Sequence, residues 1–125
     1  MNAWHQLVDA DTGEVLVAKL QVANTFWRRF RGLQFRRQLE DNAGLLLTPC
    51  RSIHTHWMRF SIDVAMLDDD GVVLNVLPNL RPWRIAPRIN GTRSIVETNA
   101  GALARRLRVG VRTKVAHYSD AVQSV

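Results

Sequence analysis

The sequence predicts one mostly β domain, an antiparallel sandwich or barrel of about seven or eight short strands with two short helices. Three observations lead to this prediction. The chain has 125 residues, which is the size of a single domain, and no linker or repeat divides residues 1–125. Short β-forming runs recur along it, separated by turn residues. Its composition, 46% hydrophobic and 22% charged, is that of a globular protein and excludes disordered and disulfide-framework classes.

Eight short segments have the apolar, β-branched composition that favours strands. They are residues 3–8, 14–22, 45–47, 50–57, 61–67, 72–77, 94–97 and 113–118. Two turn signals stand between neighbouring segments. Residues 9–13 form a polar cluster that ends in glycine, and residues 68–71 end in an Asp-Gly pair, which suits a type I′ hairpin turn. We therefore expect a β-hairpin at each turn.

Two short helices are predicted beside these strands. The first covers residues 26–31, where Phe26 and Phe30 are four positions apart and therefore share one face. The second covers about residues 100–108, after a polar cap and before Gly110, which is suited to the position that follows a helix. Both helices are expected to pack an apolar stripe against the sheet.

Charge and cysteine content indicate which partners and which cellular compartment to expect. The formal net charge is +6, and almost all of the 17 basic residues are arginines, which permits an anionic partner. Cys50 is the single cysteine, so no internal disulfide can form, which fits a reducing compartment. No signal-peptide pattern opens the sequence, and no apolar run approaches the roughly 20 residues of a membrane-spanning helix. We expect a cytoplasmic protein without a membrane partner.

Three segments of the chain resemble a known family. The first is Arg31-Gly32-Leu33-Gln34-Phe35-Arg36. The second covers residues 52–64, which read Ser-Ile-His-Thr-His-Trp-Met-Arg-Phe-Ser-Ile-Asp-Val and precede the turn at 68–71. The third covers residues 95–101, which read Ile-Val-Glu-Thr-Asn-Ala-Gly. In this order they resemble the small prokaryotic family called domain of unknown function 192, over about residues 14–118.

This resemblance implies a compact, mostly β sandwich with short helices at its edges, and it implies no particular activity. The chain departs from the family pattern at two positions. Gln34 stands where an apolar residue is usual, and Val111 stands where an aspartate usually follows the glycine. The second departure removes a candidate acidic ligand near Glu97 and weakens any metal site based on the family pattern.

The segment around the paired histidines could carry catalysis or a metal. On a strand over 50–57, the side chains of Cys50, Ser52, His54 and His56 would share one face, with Asp63 on the next strand. A small hydrolase using Ser52 or Cys50 with His54 is therefore one alternative. The spacing along a flat strand disfavours it, because Ser52 barely reaches His54 and Cys50 does not. His54 and His56 could bind zinc with Glu97 or Asp63, but no third ligand is fixed, so we expect no metal and no cofactor.

A second alternative is single-stranded nucleic-acid binding by a basic and aromatic segment. Its arginines are Arg28, Arg29, Arg31, Arg36 and Arg37, interleaved with Phe26, Trp27, Phe30 and Phe35. Rings stack on bases and cations follow phosphates, so such alternation suits a single strand. The same spacing also describes an amphipathic helix whose phenylalanines pack into the core.

The function that the sequence favours is a non-catalytic binding module for a small polar or anionic ligand or a partner protein. Its groove is predicted to be lined by Arg31, His54, Trp57, Arg59, Trp83 and Glu97. The arginines would contact an anionic group, the tryptophans would stack, and the histidine and glutamate would form hydrogen bonds. Trp83 lies in a loop stiffened by prolines, which can hold its ring ready for a ligand.

Overall fold

The structure is a computed structural model, and it describes residues 5–23, 40, 42–103 and 105–117. Seven strands form one sheet. They are β1 (His5–Asp9), β2 (Val15–Ala23), β3 (Ala43–Leu47), β4 (Ile62–Leu67), β5 (Val73–Leu80), β6 (Ser94–Asn99) and β7 (Thr113–His117). Their order across the sheet is β5-β4-β6-β3-β2-β1-β7. The mostly β prediction is confirmed. Some neighbouring strands of the sheet are joined by local hairpins, and others by long connections.

All neighbouring strands are antiparallel except β2 and β3, which run parallel. The prediction of a purely antiparallel arrangement is therefore wrong at this pair. Parallel neighbours need a long crossover rather than a tight turn. Residues 24–42 make this connection, and the first predicted helix, over 26–31, lies outside the described residues.

Each face of the sheet has its own apolar core, because side chains on a strand alternate between the two faces. The first core cluster comprises Leu7, Leu16, Val17, Leu20, Leu46, Ala65, Leu67, Val73, Val96, Leu103 and Leu107. The second core cluster comprises Ala23, Leu45, Leu47, Met58, Ile62, Val64, Met66, Ala86 and Ile95. Segment 100–111 covers the first cluster. Two loops, 48–61 and 81–93, cover the second, so they lie on one side of the sheet.

The sheet curls without closing into a barrel. Val72, beside the edge strand β5, forms an isolated bridge with Arg112, beside the edge strand β7. The backbone N–H of Val73 also donates to the carbonyl of Val111 at 2.9 Å. Within the described ranges the two edges meet at this one end, so the sandwich or barrel prediction is corrected to a single curled sheet with a covered face on each side.

Both predicted hairpins are confirmed, and aspartate side chains hold both turns. Asp9 Oδ1 accepts hydrogen bonds from the backbone N–H groups of Asp11 and Thr12, which lower the pKa of its carboxyl. Asp68 Oδ1 does the same for Asp70 and Val72. Of the Asp-Gly pair, only Gly71 has a positive φ, so the turn is not the predicted type I′.

Two predicted elements are wrong. Residues 50–57 form a loop, in which His54 alone makes a β-bridge, to Ile85. Contrary to the prediction, the side chains of Cys50, Ser52, His54 and His56 therefore do not share the face of a strand. Residues 100–103 and 105–108 form turns rather than a helix. Gly101 there has a φ of 87°, which ends any helical path. Among the described residues, no helix has the length and apolar character needed to cross a membrane.

The side chain of Asp63 binds backbone N–H groups of segment 100–111, as a capping residue does at the start of a helix. Its carboxylate is fully buried in β4, on the side of the first core cluster. Oδ2 accepts hydrogen bonds from the backbone N–H groups of Gly101 at 2.9 Å and Leu103 at 3.1 Å. Oδ1 accepts one from Asn79 at 2.9 Å, near the end of β5. One side chain therefore positions both the cover of the first core and the start of loop 81–93.

Candidate binding site

Thr55 joins the two loops that cover the second core cluster. Its side chain is fully buried, and Oγ1 donates to the carbonyl of Arg81 at 2.6 Å while accepting from the backbone N–H of Arg84 at 2.8 Å. Its carbonyl accepts a hydrogen bond from the N–H of Trp83 at 3.0 Å. A threonine methyl fills the apolar space while its hydroxyl satisfies backbone groups. Loops 48–61 and 81–93 are thereby fixed against each other around Trp83.

Four aromatic rings meet beside this junction, and we call them the aromatic platform: His54, His56, Trp57 and Trp83. The centroids of His54 and His56 are 4.6 Å apart, and those of His56 and Trp83 are 5.2 Å apart. Trp57 meets Trp83 edge to face at 4.8 Å. These are the distances of favourable ring contacts. The platform is nevertheless open, because Trp57 is 56% exposed and Trp83 is 54% exposed.

Both tryptophans have a left-handed backbone conformation. The φ of Trp57 is 67° and that of Trp83 is 63°. Such a conformation is a genuine outlier for a bulky side chain and costs about 1–2 kcal/mol per residue. Glycine or asparagine would adopt it more readily. The fold therefore retains two strained residues whose large rings are not buried in the core.

Arginines surround the platform, and no acidic residue stands in either loop. Loops 48–61 and 81–93 contain Arg51, Arg59, Arg81, Arg84, Arg88 and Arg93, all of them exposed. Within the described ranges, the side-chain ion pairs are Lys19–Glu40 and Arg112–Asp11, so none of these six arginines is paired with a carboxylate there. Six exposed cations in two loops without acidic residues give this surface a positive field that attracts anions.

The two histidines of the platform influence each other. His54 Nδ1 accepts a hydrogen bond from the backbone N–H of His56 at 3.3 Å. Partial burial lowers the pKa of His54 from its usual 6.5, and the neighbouring His56 lowers it further by repelling a second charge. His54 is therefore neutral near pH 7, with one nitrogen directed into its own loop.

We expect His54 to titrate below pH 6.5 in an NMR experiment on its ring protons. His56→Asn removes the neighbouring charge, so the His54 midpoint should rise, while remaining below 6.5 because burial is the larger cause. Unfolded His54 binds a proton more readily than folded His54, so stability should fall as the pH falls through 6.5. A midpoint unchanged in His56→Asn would contradict the coupling between the two rings.

Thr55→Val is expected to lower the free energy of unfolding by about 1–2 kcal/mol, because the isosteric side chain leaves the Arg81 carbonyl and the Arg84 N–H without their hydroxyl partner. Denaturant unfolding measures this change. Thr55→Ser retains the hydroxyl and serves as the matched control. Equal losses in the two variants would show that methyl packing, not the hydroxyl, joins the loops.

The structure brings together three of the six predicted groove residues. His54, Trp57 and Trp83 belong to the platform, which His56 links. Arg59 is exposed two positions after Trp57. Arg31 lies outside the described residues, as do the other arginines of the predicted nucleic-acid segment, Arg28, Arg29, Arg36 and Arg37.

Glu97 is placed differently from the prediction. It is buried in β6, in register with Leu45 and Val64, on the side of the second core cluster. It therefore lies in the sheet on the side that the two loops cover, and its role in the groove stays a prediction. A glutamate in a run of β-forming residues gives no local signal of whether it lies at a surface or inside the sheet.

The catalytic alternative needs a carboxylate that orients His54, but within the described residues the hydrogen bond at its ring comes from the backbone N–H of His56. The carboxylate of Asp63 binds backbone groups on the opposite side of the sheet. The Cys50 thiol donates to the carbonyl of Ser52 at 3.3 Å. Within the described part of the chain, no three or more His, Cys, Asp or Glu side chains come together as a metal site would require.

Sequence reasoning missed two parts of the site. Thr55 is a junction between distant segments, and no local pattern shows which backbone a buried hydroxyl will meet. The sequence predicts His56 on a shared strand face or as a metal ligand, whereas its ring lies between those of His54 and Trp83. One signal of a binding surface was available in the sequence: the two loops contain many arginines and no acidic residue.

A shallow pocket of about 330 Å³ lies next to the platform, where β5 leads into loop 81–93. It is lined by Leu77, Pro78, Asn79, Leu80, Arg81 and Arg84. This volume is at the lower end of the range for small-molecule sites. Arg81 and Arg84, two of its lining residues, are close to Trp83 of the platform in the sequence.

Comparison with known proteins identifies the relatives of this chain. A UPF0127 protein of Thermococcus sibiricus is 33% identical over 102 residues, covering 78% of this chain and 65% of that protein. A UPF0127 protein of Pyrococcus abyssi is 32% identical over 102 residues, covering 78% of this chain and 84% of the relative. The chain thus spans less than two thirds of the Thermococcus relative.

A solved structure shares the fold. It is a protein of unknown function from Novosphingobium aromaticivorans, with a TM-score of 0.73 and 23% identity, covering 90% of this chain and 82% of that one. The family profile described as Uncharacterized ACR matches residues 7–115, which confirms the resemblance seen in the three sequence motifs. The chain therefore belongs to the family called domain of unknown function 192.

Proposed function

We propose that this protein is a non-catalytic binding module that recognises an anionic ligand with a flat face, through the aromatic platform and the arginines around it. The observation that carries the proposal is the pair of tryptophans, Trp57 and Trp83, which are left-handed, exposed and in contact. Strained residues persist where the surrounding structure imposes them, and they cluster at ligand sites. Exposed, preorganised rings are suited to stack on a planar group.

The charge of the two loops supports an anionic ligand. Arg81 and Arg84 line the pocket beside Trp83, and the guanidinium of arginine offers forked donors that match carboxylate and phosphate. Loops 48–61 and 81–93 contain no acidic residue that would reduce this field from within them. Neutral His54 adds a polar group at the far side of the platform. A cation would meet repulsion on this surface.

Thermal unfolding in the presence of small anionic compounds tests the proposal. The panel contains nucleoside monophosphates, aromatic carboxylates, sugar phosphates and inorganic phosphate. A ligand at 100 times its Kd stabilises a protein by about 2.7 kcal/mol. Each kcal/mol raises the Tm of a domain of this size by roughly 3–6 °C. We expect the planar anions to raise the Tm more than inorganic phosphate does.

Two variants separate binding from folding. Trp83→Gly removes the ring and also relieves the left-handed backbone, so this variant should fold and should lose the ligand-induced shift. Val109→Ala is the control, because Val109 is 66% exposed but lies in the segment that covers the opposite face. A folded Trp83→Gly protein that retains the full shift would refute the proposed site.

A further inference from the structure

We infer that the anionic ligand of this surface is a single strand of nucleic acid, with its bases on the aromatic platform and its phosphates along the arginines of the two loops. This inference rests on the proposed function and specifies its ligand. The surface carries more exposed cations than a single phosphate or carboxylate group can engage. A polymeric ligand needs these cations to lie along a row and these rings to be accessible to its bases.

The arginines extend along the sheet rather than surrounding one point. Ile62, at one end of β4, pairs with Leu80, which directly precedes Arg81. At the other end of β4, the carbonyl of Leu67 accepts a hydrogen bond from the N–H of Arg93 at 2.7 Å. Loop 81–93 therefore runs the length of β4, which is about 17 Å for five steps of ~3.3 Å.

Loop 48–61 follows the same course. The N–H of Cys50 donates to the carbonyl of Arg93 at 2.8 Å, which places Arg51 at the Arg93 end. Thr55 joins Arg84 at the platform end. A basic row about 17 Å long extends well beyond one phosphate group, so it can meet more than one phosphate of a strand. A small monoanion would leave most of this row unused.

The platform favours unpaired bases. Trp57 and Trp83 are each more than half exposed, and a base can stack on such a ring only when it is free of its own partner. Their edge-to-face contact presents two differently oriented ring surfaces, which suits two successive bases. In the described residues no helix is available to enter a duplex groove. Stacking plus phosphate contact is the recognition mode of single-strand binders.

Fluorescence anisotropy with labelled single strands of about 12 nucleotides, as DNA and as RNA, tests the inference. The comparison probes are the duplex of the same sequence, heparin as a polyanion without bases, and a nucleoside monophosphate. We expect the single strand to bind most tightly, and its affinity to fall as salt rises with a slope of about −0.7 per phosphate contact. Trp57→Ala and Trp83→Gly should each weaken single-strand binding at least about fivefold.

Arg84→Gln should reduce the salt slope by about one contact, while Arg106→Gln, exposed in the segment that covers the other face, should leave it unchanged. If the monophosphate binds through Trp83 as tightly as the oligonucleotide does, the polymer inference fails and the proposed function survives. Equal binding of heparin, unaffected by loss of the tryptophans, overturns the inference by showing charge attraction alone. If no probe binds, the polymer inference fails, and if in addition no planar anion of the thermal panel raises the Tm, the proposed function fails with it.

Discussion

Replacing Asp63 with asparagine is expected to lower the free energy of unfolding by about 3 kcal/mol. The carboxylate uses both oxygens: one accepts from Asn79, and the other accepts from Gly101 and Leu103. An amide has a single acceptor oxygen, so its NH₂ group must face at least one buried backbone N–H. Urea or guanidinium unfolding measures the loss.

Asp68→Asn is the matched control. Asp68 also accepts two backbone N–H groups, from Asp70 and Val72, but both reach the same oxygen, Oδ1. Asparagine can offer that oxygen in the same position and is common at such turns. We expect a loss well below 1 kcal/mol. Similar losses in Asp63→Asn and Asp68→Asn would mean that the two oxygens of Asp63 are not both required.

Gly71→Ala is expected to lower the free energy of unfolding by about 2–4 kcal/mol, from two causes. The residue has a φ of 82°, a conformation that is unfavourable for alanine. The added Cβ would also collide with the backbone oxygen of Thr113. Thr113 donates from both its N–H and its hydroxyl to the carbonyl of Gly71, so moving either residue weakens the point where the sheet edges meet.

Gly13→Ala isolates the first of these two causes. Gly13 has a similar φ of 78°, in the equivalent hairpin turn, but a Cβ there would meet nothing within 4 Å. Only the backbone cost of about 1–2 kcal/mol remains. Thermal or denaturant unfolding of the two variants should therefore differ by the energy of the collision. If Gly71→Ala is no less stable than Gly13→Ala, the contact with Thr113 imposes no constraint.

The sequence predicted the regular strands well, because their signals are local. Alternating apolar residues identify β2, and the Asp-Gly pair before Val72 identifies the β4–β5 hairpin. The parallel pairing of β2 with β3 has no local signal. It depends on where the chain returns after residues 24–42, which a composition pattern does not record.

The loop at 50–57 shows why the strand prediction failed there. Ile53, Thr55 and Trp57 all favour β structure, so the local propensity is real. Tertiary contacts override it: Thr55 uses its hydroxyl on loop 81–93, and Trp57 takes a left-handed conformation. The prolines beside Trp83 were a local signal that its ring could be held in place. The contact between Trp57 and Trp83 had no local signal, because 26 positions separate them.

The position of β7 beside β1 has a kinetic consequence. The last described strand, β7, forms hydrogen bonds with the edge of β1 that β2 does not occupy, with His5 opposite His117. The β1–β2 hairpin is local and can form early, but one edge of β1 stays open until β7 arrives. Pairing of segments so distant along the chain is slow, typically milliseconds to seconds for β-rich domains. During that interval the open edge of β1 can pair with another chain, so refolding yield should decrease as protein concentration rises.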